Sequence, residues 1–246
     1  MERLGTLILI LLAAGGLISL AFVFWRYVWF SRNPKRTPPE GENILSPADG
    51  KVVYVRKVRS GESVISTKHK RSILLSDLLR KDLDGEKLLI GVFMSPFDVH
   101  VNRSPLGGTV QSVTHYPPVH KNHNMTSMHW RTLLNFTPFY ERSPHLITNE
   151  RTVTHIRGFF CGEPLSCHVN QIAGGSVRGI ESIARPGSTL KRGDILGRIK
   201  IGSQVDTVIS WKPTMHLRVR PGMKVRAGES ILVETLSNQP ISKEEG

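Results

Sequence analysis

"RPGSTLKRGDILGRI", residues 185–199, is echoed by "RPGMKVRAGESILVE", residues 220–234. Both follow the frame R-P-G-x-x-φ-x-x-G, where φ is an apolar residue, with an acidic residue after the second glycine. Such a frame makes a turn, a short exposed crossing and a second turn, because glycine reaches backbone angles closed to other residues and proline fixes the approach. Repetition of this kind speaks to architecture and not to chemistry.

Outward from the echo, most of the chain alternates short β-type runs with Gly, Pro and Asn punctuation: "KVVYVRKV", "KLLIGVFMS", "GTVQSVTHY", "RTVTHIRGFF" and "ESILVETL". This pattern predicts a β-rich α+β fold. The echo gives it a barrel-sandwich-like character, as in the small biotinyl and lipoyl carrier domains. "SDLLRKDL" (76–83) has the spacing for about two helical turns. "GRIKIGSQVDTVIS" (197–210) reads as two short strands with Gly202-Ser203 between them.

The N-terminus differs in kind. From Leu4 to Trp25 there are 22 residues without a charge, which at ~1.5 Å per residue spans a hydrocarbon core of ~30 Å. The run is too long for a typical cleaved signal and ends in "WRYVWFSRNPKR", an aromatic and basic boundary suited to a membrane interface. Arg26, Arg32, Lys35 and Arg36 outnumber Arg3 on the other side, which places the body on the cytoplasmic face. Residues 1–31 are thus expected to be a membrane anchor with its basic flank. Residues 32–246 form the domain, reached through the linker "NPKRTPPEGEN" (33–43).

A hydrophobic content of 39% excludes a disordered chain, and a formal charge of +13 calls for a polyanionic partner. The anchor points to anionic lipid. Nucleic acid is disfavoured because the Lys and Arg residues are dispersed and match no recognition motif. Cys161 and Cys167 fit no common zinc spacing and read as ordinary thiols. His115, His120, His123 and His129 tempt a metal assignment, but their spacings match no ligand pattern, so no metal is expected. "HYPPVHKNHNMTSMHWRTLLNFTPFYE" (115–141) reads instead as a mobile loop that offers Trp130, Phe136, Phe139 and Tyr140 to lipid.

Six motifs follow one another along the chain: "WFSRNPKRTPP" (29–39), "SPADG" (46–50), "FMSPFDVHVNRSP" (93–105), "NERTV" (149–153), "QIAGGSVRGI" (171–180) and "IGSQVD" (201–206). Together they resemble the phosphatidylserine decarboxylase proenzymes, most closely the short, pyruvoyl-dependent subgroup. The resemblance implies that Ser203 attacks the Gly202 carbonyl. The chain then splits into a β chain (1–202) and an α chain (203–246) that stay together as a heterodimer, with higher oligomers left open. Ser203 becomes a covalent pyruvoyl group, the cofactor, which forms a Schiff base with the serine headgroup of an anionic phospholipid and releases CO2.

Gly187-Ser188 and Gly175-Ser176 are rival pairs. The first lies in the R-P-G frame and reads as a turn, and the second lies where the family has a core strand. Asp49 and His100 match positions the family uses for acid-base work, with Asp98 a third candidate. For Asp49 a turn residue is the plain alternative, and for His100 a core histidine. Longer members carry a histidine where this chain has Arg103. The loop from Tyr116 to "NERTV" is longer than in the relatives. Two other readings stay open: decarboxylation of an archaetidylserine-like lipid, and a non-enzymatic biotinyl-like adaptor modified at Lys224.

Overall fold

The computed structural model describes residues 2–59, 63–66, 72–74, 85–139, 144–175, 179–200 and 202–235. The helix expected at 76–83 lies outside these residues, as do Ser176 and Tyr140. Helix α1 (Glu2–Phe24) runs into a π-helical turn at Trp25–Trp29. Together they supply one helix, Arg3–Trp29, long and apolar enough to cross a membrane, with its apolar side chains exposed.

The body is built from strands. In chain order these are β1 (Asn43–Leu45), β2 (Gly50–Val58), β3 (Ser63–Ser66), β4 (Ser72–Leu74), β5 (Lys87–Met94), β6 (Val101–Arg103) and β7 (Gly108–Tyr116). Two short helices follow, α2 (Thr126–Leu133) and α3 (His145–Thr148). The rest are β8 (Arg151–Phe160), β9 (Glu163–Ala173), β10 (Ile180–Ser182), β11 (Thr189–Leu190), β12 (Ile195–Ile199), β13 (Ser203–Ser210), β14 (Met215–Leu217), β15 (Lys224–Val225) and β16 (Ile231–Thr235).

Eight strands form one antiparallel, curled sheet in the order β11-β7-β8-β9-β13-β5-β2-β15, and two three-stranded sheets have the orders β1-β16-β14 and β10-β12-β6. The R-P-G echo is a true structural repeat. Its two copies place β11 and β15 on opposite edges of the large sheet, and β12 and β16 at the centres of the two small ones. The repeat extends to a pair the sequence reading passed over, "LSPADG" (45–50) and "RSPLGG" (103–108). Ser46 Oγ donates to the Ala48 carbonyl at 2.7 Å and Ser104 Oγ to the Leu106 carbonyl at 2.6 Å. The Leu45 amide donates to the Pro105 carbonyl and the Arg103 amide to the Pro47 carbonyl, both at 2.9 Å. In the strand order of the large sheet the corresponding pairs β11-β7 and β15-β2 stand equally far from the central β9-β13 pair.

Period-2 alternation sorts the side chains of the large sheet onto two faces. One carries Val52, Ile90, Val92, Val169, Val205 and Ile209 into the main core. The other carries Val53, Tyr54, Leu89, Phe93 and Val208 into a second core. Each fully buried aliphatic or aromatic side chain contributes about 1.5–3 kcal/mol. The cover of the second face corrects the expectation of a mobile loop at 115–141: α2, α3 and their flanks close it with Met125, Met128, Phe139 and Leu146. Trp130 and Phe136 remain exposed, together with Leu133 and Leu134.

The linker also departs from a free spacer. Arg103 donates to the Asn33 Oδ1 at 2.7 Å, Arg192 to the Asn43 Oδ1 at 2.8 Å, and Arg36 pairs with Asp49 and Glu229. The segment after the apolar helix is therefore fastened to the body.

Candidate active site

Ser203 opens β13, the strand at the heart of the sheet, and is fully buried. It pairs with Met94 on β5 and Ala173 on β9, so its backbone is held from both sides. Its Oγ lies 3.6 Å from the Met94 Sδ, a thioether that is only a weak acceptor. The hydroxyl is thus kept out of water without being tied to a strong acceptor. Gly202 before it has φ +43, in the region that favours glycine. A Cβ built on Gly174 would stand 2.5 Å from the Gly202 carbonyl oxygen. Gly174, in "AGGS", is what lets the strand end approach that carbonyl.

The other Gly-Ser pair in view is spent on a turn. Gly187 has φ +83 and Ser188 Oγ donates to the Arg185 carbonyl at 2.6 Å.

His100 lies in the loop from β5 to β6 and is almost fully buried. Its Nδ1 is 2.9 Å from the Asp98 carbonyl, and because a carbonyl only accepts, Nδ1 carries the proton. Its Nε2 is buried with no hydrogen-bond partner, leaving a bare lone pair. Its ring packs on Phe30 from the membrane-proximal flank at 4.2 Å. Burial lowers its pKa to about 4, so it is neutral at pH 7. This is a histidine arranged to accept a proton. The Met94 Sδ beside Ser203 also receives the Asn102 Nδ2 at 3.6 Å, and Asn102 is two residues beyond His100.

Asp49 does not orient His100, as an Asp-His pair would require. Arg36 donates to its Oδ1 and Oδ2 at 3.0 and 2.8 Å, and the Ala227 amide donates to Oδ1 at 2.8 Å. Burial raises its carboxyl, against the pull of those donors. The residue that takes its place is Asp98, through its backbone oxygen. The Asp98 carboxylate itself accepts from the Ser95 amide at 2.7 Å and shapes the loop. Arg103, where longer members carry histidine, donates to the Gly193 carbonyl and to the linker. Arg103 and Arg36 are thus latches for the segment that brings Phe30 to His100.

Sequence reasoning missed a second polar group on the opposite face of β13. Tyr54 donates to Asp206 at 2.6 Å, Gln204 donates to both at 2.7 Å, and His145 Nε2 meets the Gln204 Oε1 at 3.2 Å. Burial pushes Asp206 up to about 6 and His145 down to about 4. A Cβ on Gly91 would strike the Tyr54 ring at 2.4 Å, so that glycine makes room for the network. Its signal was legible as polar residues at alternate positions of an apolar strand: Gln204 and Asp206.

Two adjoining cavities lie near this strand end, and one of them opens beside Gly202. One, of about 180 Å³, is lined by Gly202, Gly174, Met125 and His129. The other, of about 170 Å³, is lined by Lys51, Lys224, Phe97, Asp98 and Leu133, and the two share Phe93 and His129. Of the four loop histidines, His129 is the one at these cavities. Among the described residues no three His, Cys, Asp or Glu side chains gather as a metal site.

Fold and site describe a β protein carrying a membrane-type helix, with a buried serine behind a left-handed glycine at the centre of its main sheet. The profile of the phosphatidylserine decarboxylase family matches residues 23–233. Similar curated proteins include the phosphatidylserine decarboxylase proenzyme of Carboxydothermus hydrogenoformans, 34% identical over 219 residues (89% of this chain, 83% of the relative). That of Pelodictyon phaeoclathratiforme is 32% identical over 215 residues (87% and 80%). A candidate archaetidylserine decarboxylase proenzyme of Halobacterium salinarum is 34% identical over 221 residues (88% and 83%). The chain belongs to the phosphatidylserine decarboxylase family.

Proposed function

We propose that this chain is a proenzyme that cuts itself between Gly202 and Ser203 and then decarboxylates the serine headgroup of a membrane phospholipid, giving its ethanolamine counterpart and CO2. The observation that carries the reading is Ser203 itself. It is a buried hydroxyl without a strong acceptor, behind a glycine whose carbonyl another glycine leaves room for.

In the first step the Ser203 Oγ bonds to the Gly202 carbonyl carbon and the amide nitrogen is released, which turns the peptide into an ester. Loss of the Ser203 Cα proton expels the Gly202 carboxylate from Cβ. Hydrolysis of the resulting enamine releases ammonia and leaves the α chain (203–246) with a pyruvoyl start. His100 is the base, with its bare Nε2 and its depressed pKa of about 4. The pyruvoyl group supplies a ketone that condenses with the headgroup amine and accepts the electron pair left by departing CO2. The buried strand position of Ser203 fits such a group, because it holds the new terminus between β5 and β9 and away from water.

In this proposal the α1 helix anchors the domain, and the basic flank after it favours the cytoplasmic face for the site. On this reading the partner is an anionic serine phospholipid, and the body is a barrel-sandwich-like domain spanning 32–246. Decarboxylation of an archaetidylserine-type lipid is the second reading, favoured by the Halobacterium relative, since the headgroup reaction is the same. The adaptor reading has less support. Lys224 sits in a two-residue strand paired to Lys51, not at the tip of a turn.

The test is the intact mass of the purified chain, together with CO2 release from serine-phospholipid vesicles. Two fragments, 1–202 and a 203–246 piece blocked to Edman sequencing, are expected. A single uncut chain in active membranes would overturn the proposal.

A further inference from the structure

β15 and β11 are the outermost strands of the large sheet and correspond to each other in the repeat. At β11 the cross-strand partner of Thr189 is Thr109, with Leu190 opposite Gly108. At β15 the partner of Lys224 is Lys51, with Val225 opposite Gly50. The same structural position thus holds a threonine pair in one half and a lysine pair in the other. Threonines facing across strands stabilise a sheet, whereas like charges directly opposite destabilise it. The fold does not need the lysines, since its other half does without them.

Their surroundings do not neutralise them either. Among the described residues no carboxylate pairs with either lysine. Lys51 Nζ donates to the Thr132 carbonyl and lies 3.4 Å from the Asn135 Oδ1. Burial and the charge of Lys224 lower the Lys51 pKa. Asp98, in the same cavity, has its carboxylate turned to the Ser95 amide. Two ammonium groups therefore line a cavity whose one carboxylate, Asp98, is ion-paired with neither of them.

That cavity adjoins the one holding Gly202, and its rim is apolar and exposed. Phe97 and Leu133 line it, each 62% exposed. Phe97 also packs on Trp25 at the end of the membrane helix, with ring centroids 6.4 Å apart, and its carbonyl accepts from Arg32 at 2.6 Å. The opening is thus fixed at the end of the anchor, where a lipid headgroup lies.

Resting on the functional reading above, we infer that Lys51 and Lys224 form a subsite for the phosphodiester of the lipid substrate. The serine amine then reaches toward residue 203 in the neighbouring cavity, and the acyl chains leave over Phe97 and Leu133. The serine headgroup separates phosphate and amine by two carbons, which suits two adjoining cavities. A lysine ammonium binds phosphate as a point charge and tolerates different lipid backbones.

The test uses the full-length chain with the pair exchanged for that of the other half, Lys51→Thr with Lys224→Thr. Self-cleavage into two chains and an undiminished Tm report folding. The KM for serine-phospholipid vesicles is expected to rise about ten- to hundredfold, the scale of lost hydrogen bonds to a charged group. Inorganic phosphate is expected to raise the Tm of the parent chain and to leave that of the double variant unmoved. A control that removes the same charge elsewhere, Lys191→Thr with Lys200→Thr, reports the general loss of attraction to the membrane and is expected to raise KM less than the Lys51/Lys224 exchange. An unmoved KM in the Lys51/Lys224 variant overturns the subsite, and loss of the phosphate effect alone then marks a site for free anions. An equal rise in the control also overturns it. Failure of the parent chain to release CO2 from any serine phospholipid instead removes the functional reading, and the subsite with it.

Discussion

Phe30→Ala tests whether the membrane-proximal flank sets the chemistry of His100. The Phe30 ring is 5% exposed and lies 4.2 Å from the imidazole, covering it from water. Burial is the leading cause of the His100 pKa of about 4. Removing the ring readmits water and moves the pKa toward the ordinary value of about 6.5. A neutral imidazole is the competent form, so the acid limb of the rate profile moves up with the pKa. With full re-exposure, the neutral fraction at pH 5.5 falls from nearly all to about a tenth, a rate loss of about tenfold. At pH 7.5 the same shift costs only about a tenth of the rate. The assay is single-turnover self-cleavage from pH 4.5 to 8, with the His100 titration followed by NMR. Phe30→Leu, which keeps an apolar cover, is expected to shift the limb less. An acid limb in Phe30→Ala that coincides with the parent's would show that His100 is not the titrating base, or that Phe30 does not govern it.

A chain starting at Asn33 lacks Phe30 and should cleave itself near neutral pH but show the same acid-side loss; one starting at Trp25 should match the parent, as gel densitometry across pH will show. Ser203→Ala should remain one chain by mass spectrometry, whereas Ser188→Ala, whose hydroxyl serves the Arg185 turn, should cleave normally. Gly174→Ala puts a methyl 2.5 Å from the Gly202 carbonyl and should slow self-cleavage about tenfold or more, read by the same gel. Acid should destabilise the fold. His100 and His145 have folded pKa values of about 4, below the unfolded value, so their stabilisation is present above pH ~6.5 and lost as pH falls through 4. Each loses up to about 3 kcal/mol across that window. Asp206, raised to about 6, runs the other way and favours the fold below its unfolded value, offsetting about one histidine. A urea midpoint that did not fall between pH 6.5 and 4.5, or a His145→Leu variant with an undiminished acid slope, would contradict this accounting.

The β architecture and the strand that Ser203 opens were legible because both are local. Strand alternation and R-P-G turns are written in neighbouring residues, and so is the Gly202-Ser203 pair in its apolar frame. What was not legible depends on distant segments coming together. "SPADG" reads as an acid-base motif, but the carboxylate of Asp49 is taken by Arg36 from a linker that the sequence presents as a spacer. The run 115–141 has no sustained period, so nothing in it separates Phe139, buried in the second core, from Phe136, exposed three residues earlier. Phe30 reads as part of a membrane interface, and only the docking of the flank shows it to be the cover of His100.

The repeat separates what the fold needs from what only one of its halves carries. A duplicated fold repeats whatever stability requires, and the repeated features here are structural: the Ser46 and Ser104 turns, the exchanged amides at Leu45 and Arg103, and the glycines at 50 and 108. Each of those glycines faces a neighbouring carbonyl, Phe93 or Arg157, that a Cβ would strike at 2.1 or 2.4 Å. The two halves also depart from the repeat. Asp49 stands where the other half has Gly107, and Lys51 and Lys224 stand where it has Thr109 and Thr189. The departures lie on the β5-β2-β15 side of β13, and on that side the Phe97 loop meets Trp25 at the end of the apolar helix. One half of the fold therefore carries the stabilising threonine pair, while the other sets two like charges opposite each other on the side of the sheet where β5 pairs with Ser203.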